Sequence, residues 1–297
     1  MAGQERVMPE TPTMPKRAAR QAEQVARYYA WLDKLTWFDE RRAEEGHGAI
    51  PVHRALTNPA GGPPSPFVIH QLMLQGIDLG PTPRVLDAGC GYGATMLDLA
   101  PRRGGRWTGL TLSAVQAERG MAEVAARGLI GRVHIEVGSY DEKPPGRYDL
   151  IYGIESLIHS ADPAHTIANL ASVLDGGGHL VIVDDMPEED LPAEPAARLA
   201  RFKRFWRCPV APSRAGWIAH LEAAGLTLVA EQDLNPLLRV RDMATVTPRL
   251  AELKRKSILP RLLGRGVRCE AEMGGLLLET LQTEGHVHYR VLVARRG

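Results

Sequence analysis

Four stretches carry residue types able to do chemistry. The first is Asp87-Ala88-Gly89-Cys90-Gly91-Tyr92-Gly93. Val85-Leu86 precedes it and a run from Ala94 follows, so the pattern predicts a short buried strand, a glycine turn and a helix start. Glycine adopts dihedrals closed to other residues and lets a ligand approach without meeting a Cβ. A strand, a glycine turn and a helix N-terminus together make a site for a nucleotide-like ligand. Asp87, directly before the glycines, can face an ammonium group. The second stretch is Thr111-Leu112-Ser113 with Gln116, at the end of the next strand. Many nucleotide sites place an acid there for the ribose hydroxyls; none is present here. The third is Gly138-Ser139-Tyr140-Asp141. The fourth is Glu155-Ser156-Leu157-Ile158-His159, which follows the fourth strand. Ligands of open α/β sheets bind at the carboxyl ends of the strands, so Glu155 and His159 belong at the rim of the site. A carboxylate and an imidazole are the groups of general acid–base catalysis.

Alternating units must position these residues. Strands are predicted near Arg84–Asp87, Arg106–Thr111, Arg132–Val137, Tyr148–Ile151 and Leu180–Asp184. Helices are predicted near Ala94–Ala100, Ser113–Arg127 and Pro163–Leu174, with Gly176-Gly177-Gly178 as a helix–strand turn. Strands alternating with helices argue for a doubly wound, mostly parallel sheet. Residues 1–15 read as a disordered tail. A helix over Lys16 to about Arg42 carries Val25, Tyr28, Tyr29, Leu32, Leu35 and Thr36 on one stripe. Its aromatics Tyr28, Tyr29, Trp31, Trp37 and Phe38 suit a packing face or a lid. His47, His53 and Arg54 fall in a loop and read as solvated, with a substrate contact as the alternative; Ser65 reads as the cap of a helix to about Gln75. Beyond Asp185 come a basic helix with Arg201, Lys203, Arg204 and Arg207, a helix Ser213–Ala224, a strand Leu226–Ala230, a basic helical stretch Leu237–Leu263, a helix Glu270–Glu284 and a strand His286–Ala294. Two late strands around a helical insertion predict an antiparallel last edge. The division expected is a tail over 1–15, a lid and loop over 16–64, and a main domain over 65–297 with insertions near 187–212 and 236–285.

The chain has 297 residues with 44% hydrophobic and 24% charged content, which fits one globular α/β domain with additions. A net charge of +1 supplies no global basic field for nucleic acid. Cys90, Cys208 and Cys269 are too dispersed for a disulfide framework or a zinc site. The first 20 residues lack the apolar core of a signal peptide, and no apolar run reaches bilayer length. A cytoplasmic location is the expectation.

The order Asp-x-Gly-x-Gly-x-Gly resembles motif I of the class I S-adenosylmethionine-dependent methyltransferases. Gly109-Leu110-Thr111-Leu112-Ser113 with Gln116 resembles the branch that holds cyclopropane fatty acid synthases, sterol and tocopherol methyltransferases and bacterial prenyl-diphosphate C-methyltransferases. The resemblance implies a seven-stranded Rossmann-like sheet with an N-terminal helical lid and helical insertions after strands 5 and 6. It implies S-adenosylmethionine held by Asp87, Gly89, Cys90, Gly91, Thr111, Leu112, Gln116, Ser139 and Tyr140. In the family an acid often follows the glycine of the third strand; Ser139 stands there, which leaves the adenine contact to Asp141 or backbone. Ile154-Glu155 through His159 and Asp162 resembles sterol C-methyltransferases, and Glu155 matches the active-site glutamate of geranyl-diphosphate-type enzymes. That likeness favours carbon methylation of an isoprenoid alkene such as a prenyl diphosphate, with Glu155 stabilising the carbocation and then deprotonating it. Tyr28, Tyr29, Trp31, Tyr152 and Trp206 are the aromatic faces for substrate, and the basic helix can hold a diphosphate. A magnesium ion is called for only with a diphosphate; the residues themselves present no metal motif. Oxygen or nitrogen methylation of a specialised metabolite, with Glu155 and His159 removing the proton, is the alternative, and a cofactor-binding relative without methyl transfer is another. The expected partner is a small apolar molecule, with homo-oligomerisation left open.

Overall fold

The computed structural model describes residues 16–34, 52–256 and 266–297. The expected tail, Leu35 and Thr36, Trp37 and Phe38, His47 and the end of the basic stretch, 257–263, lie outside the described residues. Seven strands form one sheet: β1 Arg84–Ala88, β2 Arg106–Thr111, β3 Val133–Val137, β4 Tyr148–Ile154, β5 Leu174–Pro187, β6 Leu226–Asp233 and β7 Val287–Arg296. Their order is β3-β2-β1-β4-β5-β7-β6. Neighbours from β3 through β5 are parallel, while β7 runs antiparallel to both β5 and β6. The antiparallel strand is therefore inserted between its neighbours, and the edge expected to be antiparallel is β6, which follows the direction of the main set. The order reverses between β1 and β4, which is where a doubly wound sheet opens a crevice for a ligand.

Described helices are α1 Lys16–Lys34, α2 Val68–Leu72, α3 Ala94–Arg103, α4 Ala114–Ala126, α5 Pro163–Ser172, α6 Ala193–Trp206, α7 Arg214–Ala223, α8 Met243–Lys256 and α9 Val267–Thr283. Alternate residues of the central strands feed opposite layers, as the two-residue period of a strand requires. Val85, Leu150, Val181 and Val183 pack with Ile69 of α2 and Leu97 of α3. Leu86, Ile151, Leu180 and Ile182 pack with Ile167 of α5 and Trp217 of α7. A third cluster joins α6, α8 and α9 through Phe202, Val246 and Leu277.

Two local expectations change. Gly176–Gly178 is not a turn before the strand but part of β5, which begins at Leu174 and shifts register against β4 between Tyr148 and Leu150. The glycines let the strand carry an irregularity that side chains would obstruct. Ser65 does not cap α2: its Oγ accepts from the Phe67 N–H, the helix starts at Val68 and its N-cap is Phe67 without a side-chain bond.

Candidate active site

The carboxyl ends of β1, β2 and β4, roofed by α1 and α6, enclose a cavity. β1 delivers Asp87 to it and then turns through Gly89, Gly91 and Gly93, all with positive φ. The turn is tied to β2 by the N–H groups of Gly89 and Cys90, which both donate to Leu110 O at 3.0 and 2.8 Å. At Gly89 the φ of 100° is one requirement for glycine and space is another: a Cβ would stand 2.4 Å from Ser156 Cβ. Ser156 is fixed by donation from its Oγ to Ala88 O at 2.5 Å and by the Tyr140 hydroxyl, which donates to Ser156 O at 2.7 Å.

Asp87 is buried, and its Oδ2 accepts from the Tyr152 hydroxyl at 2.9 Å. Burial pushes its pKa up to about 7, against the lowering effect of that hydrogen bond. On β2 the Thr111 hydroxyl donates to Gln116 Oε1 at 2.7 Å, and Ser113 caps α4 by accepting from Gln116 N–H. That bond leaves the Gln116 amide its N–H groups as the hydrogen-bonding capacity for a ligand diol.

Asp87, Gly89, Cys90, Gly91, Thr111, Leu112, Gln116, Gly138 and Tyr140 all line the cavity. Ser139 does not; its Oγ accepts from the Asp141 N–H within the same turn. Asp141 is also turned aside, with Ser160 and Thr166 as partners. These residues fit S-adenosylmethionine: a glycine-rich turn, a buried carboxylate with a second oxygen that an ammonium could meet, and a Thr–Gln pair that a diol could meet. Among the described residues no group of three His, Cys, Asp or Glu is placed to hold a metal ion.

Glu155 and His159 line the same cavity. Glu155 has φ 50°, a left-handed conformation closing β4, and its N–H donates to Val183 O at 2.8 Å. Its Oε1 accepts from both the backbone N–H and Nε of Arg54, at 3.1 and 2.9 Å. The same guanidinium donates to both oxygens of Asp185, at 3.1 and 2.7 Å, and lies 4.5 Å above the Tyr289 ring. Burial alone would lower the Arg54 pKa; Asp185 and Glu155 outweigh it and hold the cation firmly charged. Asp185 is raised by burial despite Arg54. Asp184 is raised further, by burial and by Asp185 beside it.

His159 is buried, and burial pushes its pKa down to about 4, so it is neutral at pH 7. Its Nδ1 lies 3.3 Å from Arg207 O, an acceptor, which assigns the proton to Nδ1. The Nε2 lone pair is then left to accept from the Tyr29 hydroxyl at 3.1 Å. Tyr29 comes from α1, as does Gln21, whose Nε2 donates to His159 O and Arg207 O at 3.0 and 2.6 Å.

Of the aromatics expected to face substrate, Tyr28, Tyr29 and Trp206 line the cavity, and Trp31 and Tyr152 do not. Tyr152 is fully buried beneath Asp87. Arg201, Lys203, Arg204 and Arg207 are not on the wall either: α6 turns Phe202 and Trp206 inward. Lys203 donates to Val210 O at 2.7 Å and Arg207 pairs with Glu270 at 3.1 Å. Two of the loop residues expected to be solvated, His53 and Arg54, are instead inside. His53 is 7% exposed and lines the cavity, and Arg54 bridges two carboxylates. Nothing periodic marks Arg54 in the sequence, whereas the Asp184-Asp185 pair ending an apolar strand was a visible signal for the wall opposite it.

The chain matches the methyltransferase domain family over residues 28–231. It is similar to the polyketide synthase ThaQ of Burkholderia thailandensis, 43% identical over 103 residues, a match spanning 34% of this chain and 5% of that protein. The O-methyltransferase cnsE of Penicillium expansum is 28% identical over 231 residues, 74% of this chain and 75% of the relative. A geranyl diphosphate C-methyltransferase from Streptomyces coelicolor, solved with Mg2+, geranyl diphosphate and S-adenosyl-L-homocysteine, shares the fold at TM-score 0.68 and 20% identity, covering 95% of this chain and 100% of that one. The chain belongs to the methyltransferase domain family, on the class I, S-adenosylmethionine-dependent scaffold.

Proposed function

We propose that this chain methylates an oxygen or nitrogen of a small, largely apolar molecule, with His159 as the base. The observation that carries the reading is the position of His159 on the cavity wall, its Nδ1–H held by Arg207 O and its Nε2 meeting a hydroxyl. An acceptor O–H that takes the place of the Tyr29 hydroxyl is already aligned for deprotonation. Bound by Asp87, the glycine turn, Thr111 and Gln116, the cofactor supplies an electrophilic methyl group on a sulfonium. Tyr28, Phe202 and Trp206 give the rest of the cavity an aromatic wall for an apolar acceptor. The likeness to the O-methyltransferase of Penicillium expansum, over three quarters of each chain, supports the same class.

Carbon methylation of an isoprenoid alkene such as a prenyl diphosphate is the second reading. Glu155 favours it, as a carboxylate on the cavity wall among aromatic faces. Its commitment to Arg54 and the four acids on the wall (Asp87, Glu155, Asp184 and Asp185) weigh against an anionic substrate. The test is incubation with methyl-labelled cofactor and a panel of phenols, hydroxylated polyketides, amines, sterols and prenyl diphosphates. Label on oxygen or nitrogen supports the first reading and label on carbon of a prenyl diphosphate the second. Cofactor binding with no methylated product sinks both and leaves a cyclase-like or regulatory relative.

A further inference from the structure

A buried hydrogen-bonded chain leads away from the cavity through residues the methyl transfer above does not use. His53, on the wall, places its Nε2 3.1 Å from Nε2 of His70. His70 belongs to α2, has no exposed surface, and places Nδ1 2.7 Å from Oδ2 of Asp98 on α3. Asp98 is about one-fifth exposed and also pairs with Arg102. The two imidazoles meet edge to face, 5.2 Å apart, and the layer around them is apolar, with Val68, Ile69, Met73 and Leu97.

The geometry restricts where protons can be. Two Nε2 atoms at 3.1 Å require a single hydrogen between them: two would collide, and none would set lone pair against lone pair. Asp98 settles His70 Nδ1 as a donor. For Asp98 itself, burial would raise the pKa, but His70 and Arg102 outweigh it and hold the carboxyl below its ordinary value, so it is an anion. When His70 is neutral, the shared proton belongs to His53 and His53 Nδ1 has a lone pair. When His70 is the cation, it owns the shared proton and His53 Nδ1–H points at Arg54 O, 3.5 Å away. Both states use the same contacts and differ by one proton.

We propose that His53 and His70 are the proton sink of the reaction, an inference that rests on the methyl-transfer reading. A bond forms between the acceptor atom and the methyl carbon, and the S–CH3 bond breaks with its electron pair going to sulfur. The acceptor's proton, removed by His159, is passed on to His53 Nδ1 as the Nε2 proton of His53 passes to His70 Nε2. The sulfonium charge disappears and an imidazolium appears at His70, against the Asp98 carboxylate. Net charge under the lid is unchanged, and the charge ends outside the ligand cavity. Other charged groups near this path are Arg102 beyond Asp98, Arg54 next to His53, and Asp87 and Glu155 on the facing wall.

The test has two arms. In the first, ring-labelled histidine is followed by nitrogen NMR without acceptor. The His53 and His70 Nε2 resonances should couple through one shared proton, and Asp98→Asn should shift both; absence of that coupling overturns the sink whatever the acceptor proves to be. In the second, with an acceptor from the panel, His53→Ala should lower the plateau rate by about 100-fold, within the usual range for losing an acid–base group, and imidazole should restore part of it. S-Adenosylhomocysteine affinity, read by calorimetry, should stay near wild type. A purely structural role, fastening the loop to α2, predicts a lower melting temperature with no imidazole rescue and an unmoved pH profile, and that result overturns the proposal. If the wild type methylates nothing, the first reading has failed instead, and the NMR arm still decides the sink.

Discussion

The Tyr152 hydroxyl donates to Asp87 Oδ2 at 2.9 Å, across the register pair that joins β4 to β1 at the reversal point of the sheet. It holds one oxygen of a buried carboxylate that lines the cavity. With Asp87 raised to about 7, cofactor binding and ionisation are linked. An ammonium group binds the ionised form, so affinity for S-adenosylhomocysteine should rise from pH 6 to pH 8, with proton release near pH 7. Calorimetry in buffers of different ionisation enthalpy reads both quantities. Tyr152→Phe removes the lowering bond and should move the midpoint upward; affinity independent of pH over this range contradicts the assignment.

His159 makes a separate statement about stability. Its folded pKa of about 4 lies below the ordinary 6.5. Between those values the unfolded chain binds the extra proton, so this group's contribution is complete above pH 6.5 and is lost as pH falls toward 4. Asp87 acts in the opposite sense, because the folded chain holds its proton up to about 7. In His159→Gln the histidine contribution is gone, while those of Asp87, Asp184 and Asp185 remain. The melting-temperature deficit of the variant should therefore grow from pH 4.5 to 6.5 and then level off. A deficit constant with pH removes the argument for a buried neutral imidazole.

Tyr29→Phe and His159→Gln separate two roles in turnover. Loss of the base should lower kcat by roughly 100-fold or more. Loss of the Tyr29 hydroxyl should cost less than about 10-fold, on the scale of one hydrogen bond, because an acceptor takes that place. Single-turnover rates with the acceptor found by the panel check both. Equal losses would make the tyrosine, and not the histidine alone, part of the proton path.

Removing Arg54 strands two carboxylates. Arg54→Met should destabilise the fold by about 3–5 kcal/mol at pH 7, the usual penalty for breaking a buried ionic cluster from one side. The penalty should shrink toward pH 5 as Asp185, already raised by burial, takes up a proton. Urea unfolding at the two pH values measures it.

Gly120 lies inside α4 with ordinary helical dihedrals, so alanine is favoured by propensity, by up to about 1 kcal/mol. Space decides against it: a Cβ would stand 2.8 Å from Tyr92 O in the glycine turn and 2.6 Å from Ile135 Cδ1. Gly120→Ala should lose about 1–3 kcal/mol net, the usual cost of overpacking, and weaken cofactor affinity by displacing the turn. A stabilised variant would mean that the helix can retreat.

The half of the cavity proposed for the cofactor was legible because each of its parts is local. Asp87 to Gly93 and Thr111 to Gln116 are strand–turn–helix junctions whose residues are consecutive, and the chain order of such units sets where they meet. The catalytic half depends on contacts between distant parts of the chain. Glu155 was recognisable as a rim residue, but the partner that fixes it is 101 residues earlier, in a loop with no periodicity. Helical spacing correctly put Tyr28, Tyr29 and Leu32 on one stripe, and Trp31 falls just beside it. Tyr152 was misread as a substrate face because a tyrosine at a strand end looks the same whether its hydroxyl meets a ligand or a buried acid. The basic residues of α6 face away because Phe202 and Trp206 occupy its inner face, and only tertiary packing decides which side of such a helix turns inward.

One feature of α1 reaches beyond covering the cavity. Gln21 grips the main-chain carbonyls on either side of the imidazole's support, and Tyr29 meets the imidazole itself. The helix that roofs the cavity is thus also the part that orients the proposed base, so on that reading shelter and reactivity arrive together. A molecule with α1 undocked would have an open cleft and a histidine without its fixed bearings, and the sulfonium would be protected from idle hydrolysis by the absence of a competent base rather than by the door alone.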